Sequence, residues 1–175
     1  NLRALFGHQW THPGSQLLFM GGEIGQSSEW SHDLGVAWHL LKFELHQGIQ
    51  AWVTDLNHLY AREASLHEVD FDAAGFQWID CNDADASVVS LIRRATDPSD
   101  WLAVIVNWTP LVREGYRVGV PEAGYYAELL NSDAATYGGS NVGNQGGLET
   151  KAIPAHGYDQ SLSLTLPPLG AVVLK

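Results

Sequence analysis

Apolar and polar positions follow two different grammars along this chain. In the first third, Leu2, Leu5, Phe6 and Trp10 recur at helical spacing before Pro13-Gly14 forbids continuation, so a helix is expected over residues 2–10. Gln16 to Met20 ("QLLFM") is a short, continuously apolar run bounded by turn residues. That pattern suits a strand buried on both faces, as parallel strands are. Residues 21–45 are loop-rich. Ile49, Trp52, Val53, Leu56, Leu59 and Tyr60 then fall at spacings of three, four and seven, which predicts an amphipathic helix with Trp52 in its core face. Helix, buried strand, long polar loop and helix together make a slice of an α/β architecture.

From Val69 the period shortens. "FQWID", "SVVSLIRRA", "WLAVIVNW", "YRVGV", "YYAELL", "SLSLTL" and "AVVLK" are short β-rich runs separated by turn clusters. Asn82 to Asp85 and Asp97 to Asp100 have the composition of hairpin connections. "SLSLTL" alternates without a fault, placing Leu162, Leu164 and Leu166 on one face. These runs predict an antiparallel sandwich, and a boundary near residues 65–69 divides the chain into segments 1–67 and 68–175. Residues 131–147 form a turn-rich loop whose length points to function or to mobility.

Composition narrows the function classes. An apolar fraction of 45% and seven tryptophans belong to a folded globular protein. The net charge is −11, with three basic against six acidic residues in 1–67 and six against fourteen in 68–175. Such a surface repels phosphate backbones and anionic lipid, so neither nucleic acid nor membrane is expected as a partner. No apolar run approaches the length of a bilayer span, and no export signal opens the sequence. The lone Cys81 forms no internal disulfide and is expected as a small buried hydrophobe, in keeping with a cytoplasmic location. The sequon Asn107-Trp108-Thr109 lies in an apolar strand and is expected to be accidental.

Candidate chemistry concentrates where "LLFMGGEIGQSSEW" (17–30) runs from apolar residues through Gly21-Gly22 into Glu23, Gln26, Glu29 and Trp30. A strand of a (β/α)8 barrel delivers residues to its C-terminal rim in this way. Such a barrel takes roughly 250 residues, and this chain offers one candidate barrel strand, so the chain is expected to be a piece of a larger protein. Trp30 is the best candidate for a ligand contact, because an aromatic face packs on an apolar ligand surface; packing beneath the loop is the competing reading. Trp38 is expected in the core. His8 and His12 share a helical face but lack the glutamate of HExxH and a third ligand, so no metal site is assigned. Asp80, Asp83 and Asp85 are expected as a solvated hairpin. Tyr125, Tyr126 and Tyr137 are candidate surface-stacking aromatics, although Tyr125 and Tyr126 face opposite sides of one strand.

Several motifs resemble the 1,4-α-glucan (glycogen) branching enzymes of the α-amylase superfamily. They are "NLRAL" (1–5), "HPG" (12–14), "LLFMGGE" (17–23), "GQSSEW" (25–30), "HDLGVAWHLL" (32–41), "DLNHLY" (55–60), "HEVDFDAAGFQW" (67–78), "VNWTP" (106–110), "ELLNSDAATYGGSNVGN" (128–144) and "SLSLTLPPLGAVVLK" (161–175), in family order. The resemblance implies an α+β fragment: 1–67 as the last β/α segment of a (β/α)8 barrel, with Gln16 to Met20 its eighth strand, and 68–175 as an all-β C-terminal domain. Branching enzymes of this kind cleave an α-1,4 linkage, hold the glucan on a carboxylate and pass it to a 6-hydroxyl. The family's catalytic carboxylates come from the fourth and fifth strands, with an aspartate after the seventh, all upstream of Asn1. No catalytic residue, metal or cofactor is therefore assigned to this chain, which is expected to be inactive alone.

Glu23, Glu29 and Trp30 are the substrate-binding candidates. Glu23 is expected to order the loop through backbone hydrogen bonds, and Glu29 to line the glucan groove. Ala37 stands where relatives are expected to carry aspartate, and Ile24 where they carry phenylalanine. The implied partners are an α-glucan (glycogen or amylose) and the N-terminal barrel of the parent enzyme. Two alternatives stay open: a non-catalytic glucan-binding β module, and the C-terminal part of another α-amylase superfamily enzyme. Without the rest of a barrel, the first 65 residues are expected to be partly disordered, repacked or engaged with another chain through a bare strand edge.

Overall fold

Two helices precede eight strands in the computed structural model, which describes residues 1–175. Helix α1 spans Leu2–Thr11 and α2 spans Glu44–Arg62. The strands are β1 (Phe76–Asp83), β2 (Val88–Arg94), β3 (Trp101–Asn107), β4 (Arg113–Val120), β5 (Tyr125–Asn131), β6 (Gly147–Glu149), β7 (Gln160–Leu166) and β8 (Gly170–Leu174). All of them pair antiparallel. One sheet has six strands in the order β1-β2-β3-β8-β5-β6; β4 and β7 form a separate ribbon. Every β-rich run read from the sequence is a strand, and β6 was missed because three residues are too few to show alternation.

Hydrophobic burial explains the layers. The ribbon covers one face of the sheet, where Val118, Leu162, Leu164 and Leu166 meet Ile92, Ala103, Ile105 and Val172. Each of those leucines contributes on the order of 2 kcal/mol by leaving water. The opposite face, made by Leu91, Leu102, Val104, Ala171 and Val173, packs against Ala4 of α1, Leu59 of α2 and Leu66. Successive strand residues point to opposite faces, so the uninterrupted run in β3 is the mark of a sheet covered on both sides. Gly7 lets α1 lie against β8, since a Cβ there would come 2.6 Å from that of Ala171. A third cluster joins Phe6 and Trp10 to Trp52, Val53, Leu56 and Tyr137.

A buried charge locks these layers together. Arg93, with no solvent exposure, lies within β2. It donates to the carbonyls of Thr11, Leu66 and Gly75 and, at 2.7 Å, to the Asp70 carboxylate. Asp70 also accepts from the Gly14 N–H, so the end of α1, the segment after α2 and the sheet converge on one guanidinium.

Some expectations fail. Gln16 to Met20 forms no strand and runs into a turn at Met20, and Leu17 and Phe19 are 76% and 60% exposed. A parallel strand satisfies its N–H and C=O groups only through neighbours, and every strand here is engaged in antiparallel pairing. The barrel segment is therefore not seen; two helices and an open connection occupy 1–67. Trp38 is exposed in a 3-10 turn (Trp38–Lys42), because that turn lies on the surface outside all three clusters. Cys81 is exposed on the edge strand β1, where a side chain has the core on one face only. Leu5 points outward, displaced from the core face by Ala4 and Gly7. Trp52 is fully buried, and Tyr126 is buried beside an exposed Tyr125, as alternation requires.

Candidate functional site

The connection between α1 and α2 carries all three candidate residues. Gly21 (φ 86°) and Gly25 (φ 64°) bracket a single 3-10 turn, Gly22–Ile24. Positive φ is easy only for glycine, and it lets the chain fold back until the Gln26 N–H reaches the Gly21 carbonyl at 2.9 Å. Ile24 is fully buried and anchors the turn, while His46 of α2 sets Nδ1 at 2.7 Å from the Ile24 carbonyl. An Nδ1–H tautomer satisfies that contact.

Gln26 holds the base of the loop. Its Oε1 accepts from the Ala37 N–H at 2.8 Å, and its Nε2 donates to the Ser28 carbonyl. The ordering expected from Glu23 is thus supplied by Gln26. A cavity of about 390 Å³ opens above this staple, lined by Glu29, Ser28, His39 and the apolar Met20 and Leu34. Glu29 faces the cavity; Glu23 and Trp30 are not among its walls. Trp30 is 55% exposed and packs edge-on against Phe19, with ring centroids 5.5 Å apart, so it lies on the outer surface rather than beneath the loop. Exposed aromatic side chains beside a largely apolar cavity with one carboxylate, Glu29, form a surface able to pack on a sugar and bond its hydroxyls.

The histidines form no metal centre with carboxylates. No group of three or more His, Cys, Asp or Glu side chains gathers in this structure. The His8 and His12 rings stand 5.1 Å apart, with Trp108 against His8 and Phe76 and Trp78 against His12. Burial, and then the charge of His12, hold the His8 imidazole below its ordinary pKa. The sequon is spent internally: Asn107 is buried, its amide donates to the Leu111 and Pro167 carbonyls, and its Oδ1 accepts from Thr109. Asp83 caps the Ala86 N–H and accepts from the Tyr116 hydroxyl at 2.7 Å.

The 131–147 loop is tied down. Asp133 accepts from the Ser140 N–H and Oγ and the Val142 N–H, and pairs with Arg3 of α1. Tyr137 is buried against Trp52 and donates to Asp55 of α2 at 2.6 Å, so it is no surface platform for a glucan. The run of Asn, Ser and Asp residues was the available signal, since each bonds nearby backbone readily.

This fold and this loop define a class. Residues 78–175 match the alpha amylase C-terminal all-beta domain, and the chain belongs to that family. Over its whole length it is similar to particular enzymes. It is 53% identical over 175 residues to the 1,4-alpha-glucan branching enzyme GlgB of Aquifex aeolicus (strain VF5), covering 100% of this chain and 28% of that protein. It is 55% identical over 173 residues to the same-named protein of Aromatoleum aromaticum, covering 99% and 27%. The chain thus spans about a quarter of the length of these relatives, corresponding to a C-terminal part of them. The solved structure of an inactive double mutant of MUTB shares the fold at a TM-score of 0.56 and 15% identity, covering 99% of this chain and 38% of that one.

Proposed function

We propose that this chain is the C-terminal part of a 1,4-α-glucan branching enzyme of glycogen biosynthesis, which cuts an α-1,4-glucan, holds it on a carboxylate and transfers it to a 6-hydroxyl. The observation that carries this reading is 53% identity over all 175 residues, a span that takes in both the connection between α1 and α2 and the β domain. In the parent, residues 1–67 are the end of the catalytic barrel and 68–175 the all-β domain that braces it. Glu29 and Trp30 meet the glucan from the loop, with Glu23 on the same turn. The parent's substrate is glycogen or amylose, and its intramolecular partner is the N-terminal barrel. A cytoplasmic location belongs to the same reading.

The test joins this chain to the upstream three quarters of the Aquifex aeolicus relative. The isolated chain should leave amylose unchanged in iodine colour and in debranched chain length. The chimera should introduce α-1,6 linkages. Branching by the isolated chain, or a chimera that makes no α-1,6 linkage although folded, overturns the proposal.

A further inference from the structure

The connection between α1 and α2 (the 15–43 loop) runs out and back as two limbs, and the two are held very differently. The outgoing limb is fixed to both helices. Gln9 of α1 donates to the Leu17 carbonyl at 2.7 Å, and His46 of α2 holds that of Ile24 at 2.7 Å. Ile24 itself is fully buried. The returning limb, residues 27–35, carries Glu29 and Trp30, and none of its side chains is buried. Its own hydrogen bonds stay inside it. The Leu34 N–H reaches the Ser31 carbonyl, the Asp33 N–H reaches Ser31 Oγ, and His32 Nε2 lies 3.2 Å from the Asp33 carboxylate.

One side chain joins this limb to the rest of the fold by hydrogen bonds. Gln26 Nε2 donates to the Ser28 carbonyl near its start, and Gln26 Oε1 accepts from the N–H of Ala37 just past its end. The amide thus closes the limb at both ends. Gln26 is seated on Gly21, where a Cβ would come 2.7 Å from Oε1, and its own N–H is held by the Gly21 carbonyl. Trp30 adds an edge-on contact with Phe19, but Phe19 is itself 60% exposed. A limb with no buried side chain gains little by leaving water, while ordering its backbone costs conformational entropy. Its arrangement therefore depends on the two bonds from Gln26, and such segments lie at the low-stability end of a fold.

We infer that Gln26 is the positioning residue of the returning limb: both ends of its amide are spent within the loop, and it acts on substrate only by holding Glu29 and Trp30 in one arrangement. This rests on the reading that the chain is part of an enzyme acting on α-glucan and that those two side chains meet it. Each neutral hydrogen bond lost from Gln26 weights the held arrangement down by about fivefold. Apparent affinity for glucan falls with the population able to bind. The binding lost is common to ground state and transition state, so KM rises while kcat holds.

Two variants test this. Gln26→Met keeps the reach of the side chain without its bonds, and Gln26→Glu restores an acceptor for the Ala37 N–H. In the 175-residue chain, ¹⁵N relaxation should show residues 27–35 becoming mobile in Gln26→Met and regaining order in Gln26→Glu, with the urea midpoint of both unchanged. In the chimera with the Aquifex aeolicus relative, KM for amylose should rise about twentyfold in Gln26→Met, two neutral hydrogen bonds' worth, and about fivefold in Gln26→Glu, at constant kcat. Unaltered relaxation in Gln26→Met overturns the inference. So does mobility accompanied by a lower urea midpoint, which would make Gln26 a residue of general stability. A branching chimera whose KM does not move, or whose kcat falls instead, overturns it as well. A chimera that makes no α-1,6 linkage even with Gln26 intact removes the parent assignment, and the relaxation measurement then decides alone whether Gln26 positions the limb.

Discussion

Removing the carboxylate of Asp70 should be among the costliest single changes in this protein. Arg93 has no contact with water, and of its four partners only Asp70 carries the compensating charge. In Asp70→Ala the three carbonyls still accept, yet the guanidinium keeps a full positive charge in the interior. Breaking one side of such a buried pair costs about 3–5 kcal/mol. Domains of this size are held by about 5–15 kcal/mol in total, so the variant loses a large share of its stability. Asp70→Asn keeps an acceptor for Arg93 and should fall between the variant and the parent. The assay is urea unfolding followed by tryptophan fluorescence. The midpoint should fall with little change in slope, since the surface exposed on unfolding is the same. The loss should appear in the 15–43 loop too, because Asp70 holds the Gly14 N–H at the point where the chain leaves α1. A cost of Asp70→Ala below about 1 kcal/mol would refute the claim that this pair joins the helices to the sheet.

Other consequences follow from close packing and from titration. Gly48→Ala raises helix propensity by about 1 kcal/mol, but the new Cβ would run into the Tyr137 carbonyl, so thermal melting should show a net loss. The lowered pKa of His8 means the native state resists its protonation. Its stability contribution is complete above about pH 6.5 and is lost as pH falls through the lowered value; His8→Phe should flatten that acid limb. Burial pushes the Glu63 carboxyl up, but hydrogen bonds and charge from Lys175 and Arg62 outweigh it and leave the pKa lowered. Burial likewise pushes Lys175 down, but the Asp100 and Glu63 hydrogen bonds win and leave it raised. The Glu63 contribution is therefore complete above its ordinary value of about 4.3 and fades as pH drops through the lowered one; that of Lys175 is complete below about 10.4 and fades as pH rises through the raised one. Lys175→Met should weaken both limbs in pH-dependent urea titrations.

Much of the β domain was legible because its alternation is local. Leu162, Leu164 and Leu166 are all within 1% of full burial, as their spacing requires, and the two Asp-rich turns close hairpins. The 15–43 loop was located by its glycines and by the polar cluster after them, although the role given to Glu23 belongs to Gln26. Nothing in the pattern distinguished Gln26 from its neighbours, since an amide ties a loop only when a remote N–H, here that of Ala37, comes within reach.

By itself, the sequence determined which segments turn, which alternate and which face of α2 is apolar, because those depend on backbone preferences and side-chain periodicity within a few residues. It also carried the resemblance of the whole chain to branching enzymes. Only the tertiary structure decided that "QLLFM" pairs with nothing, that Trp30 and Trp38 lie outside, and that Arg93 lies inside. A strand exists through its neighbours, and the burial of Arg93 is tolerated through carbonyls 18, 27 and 82 residues away. Those energies belong to contacts between distant parts of the chain, which no local pattern contains.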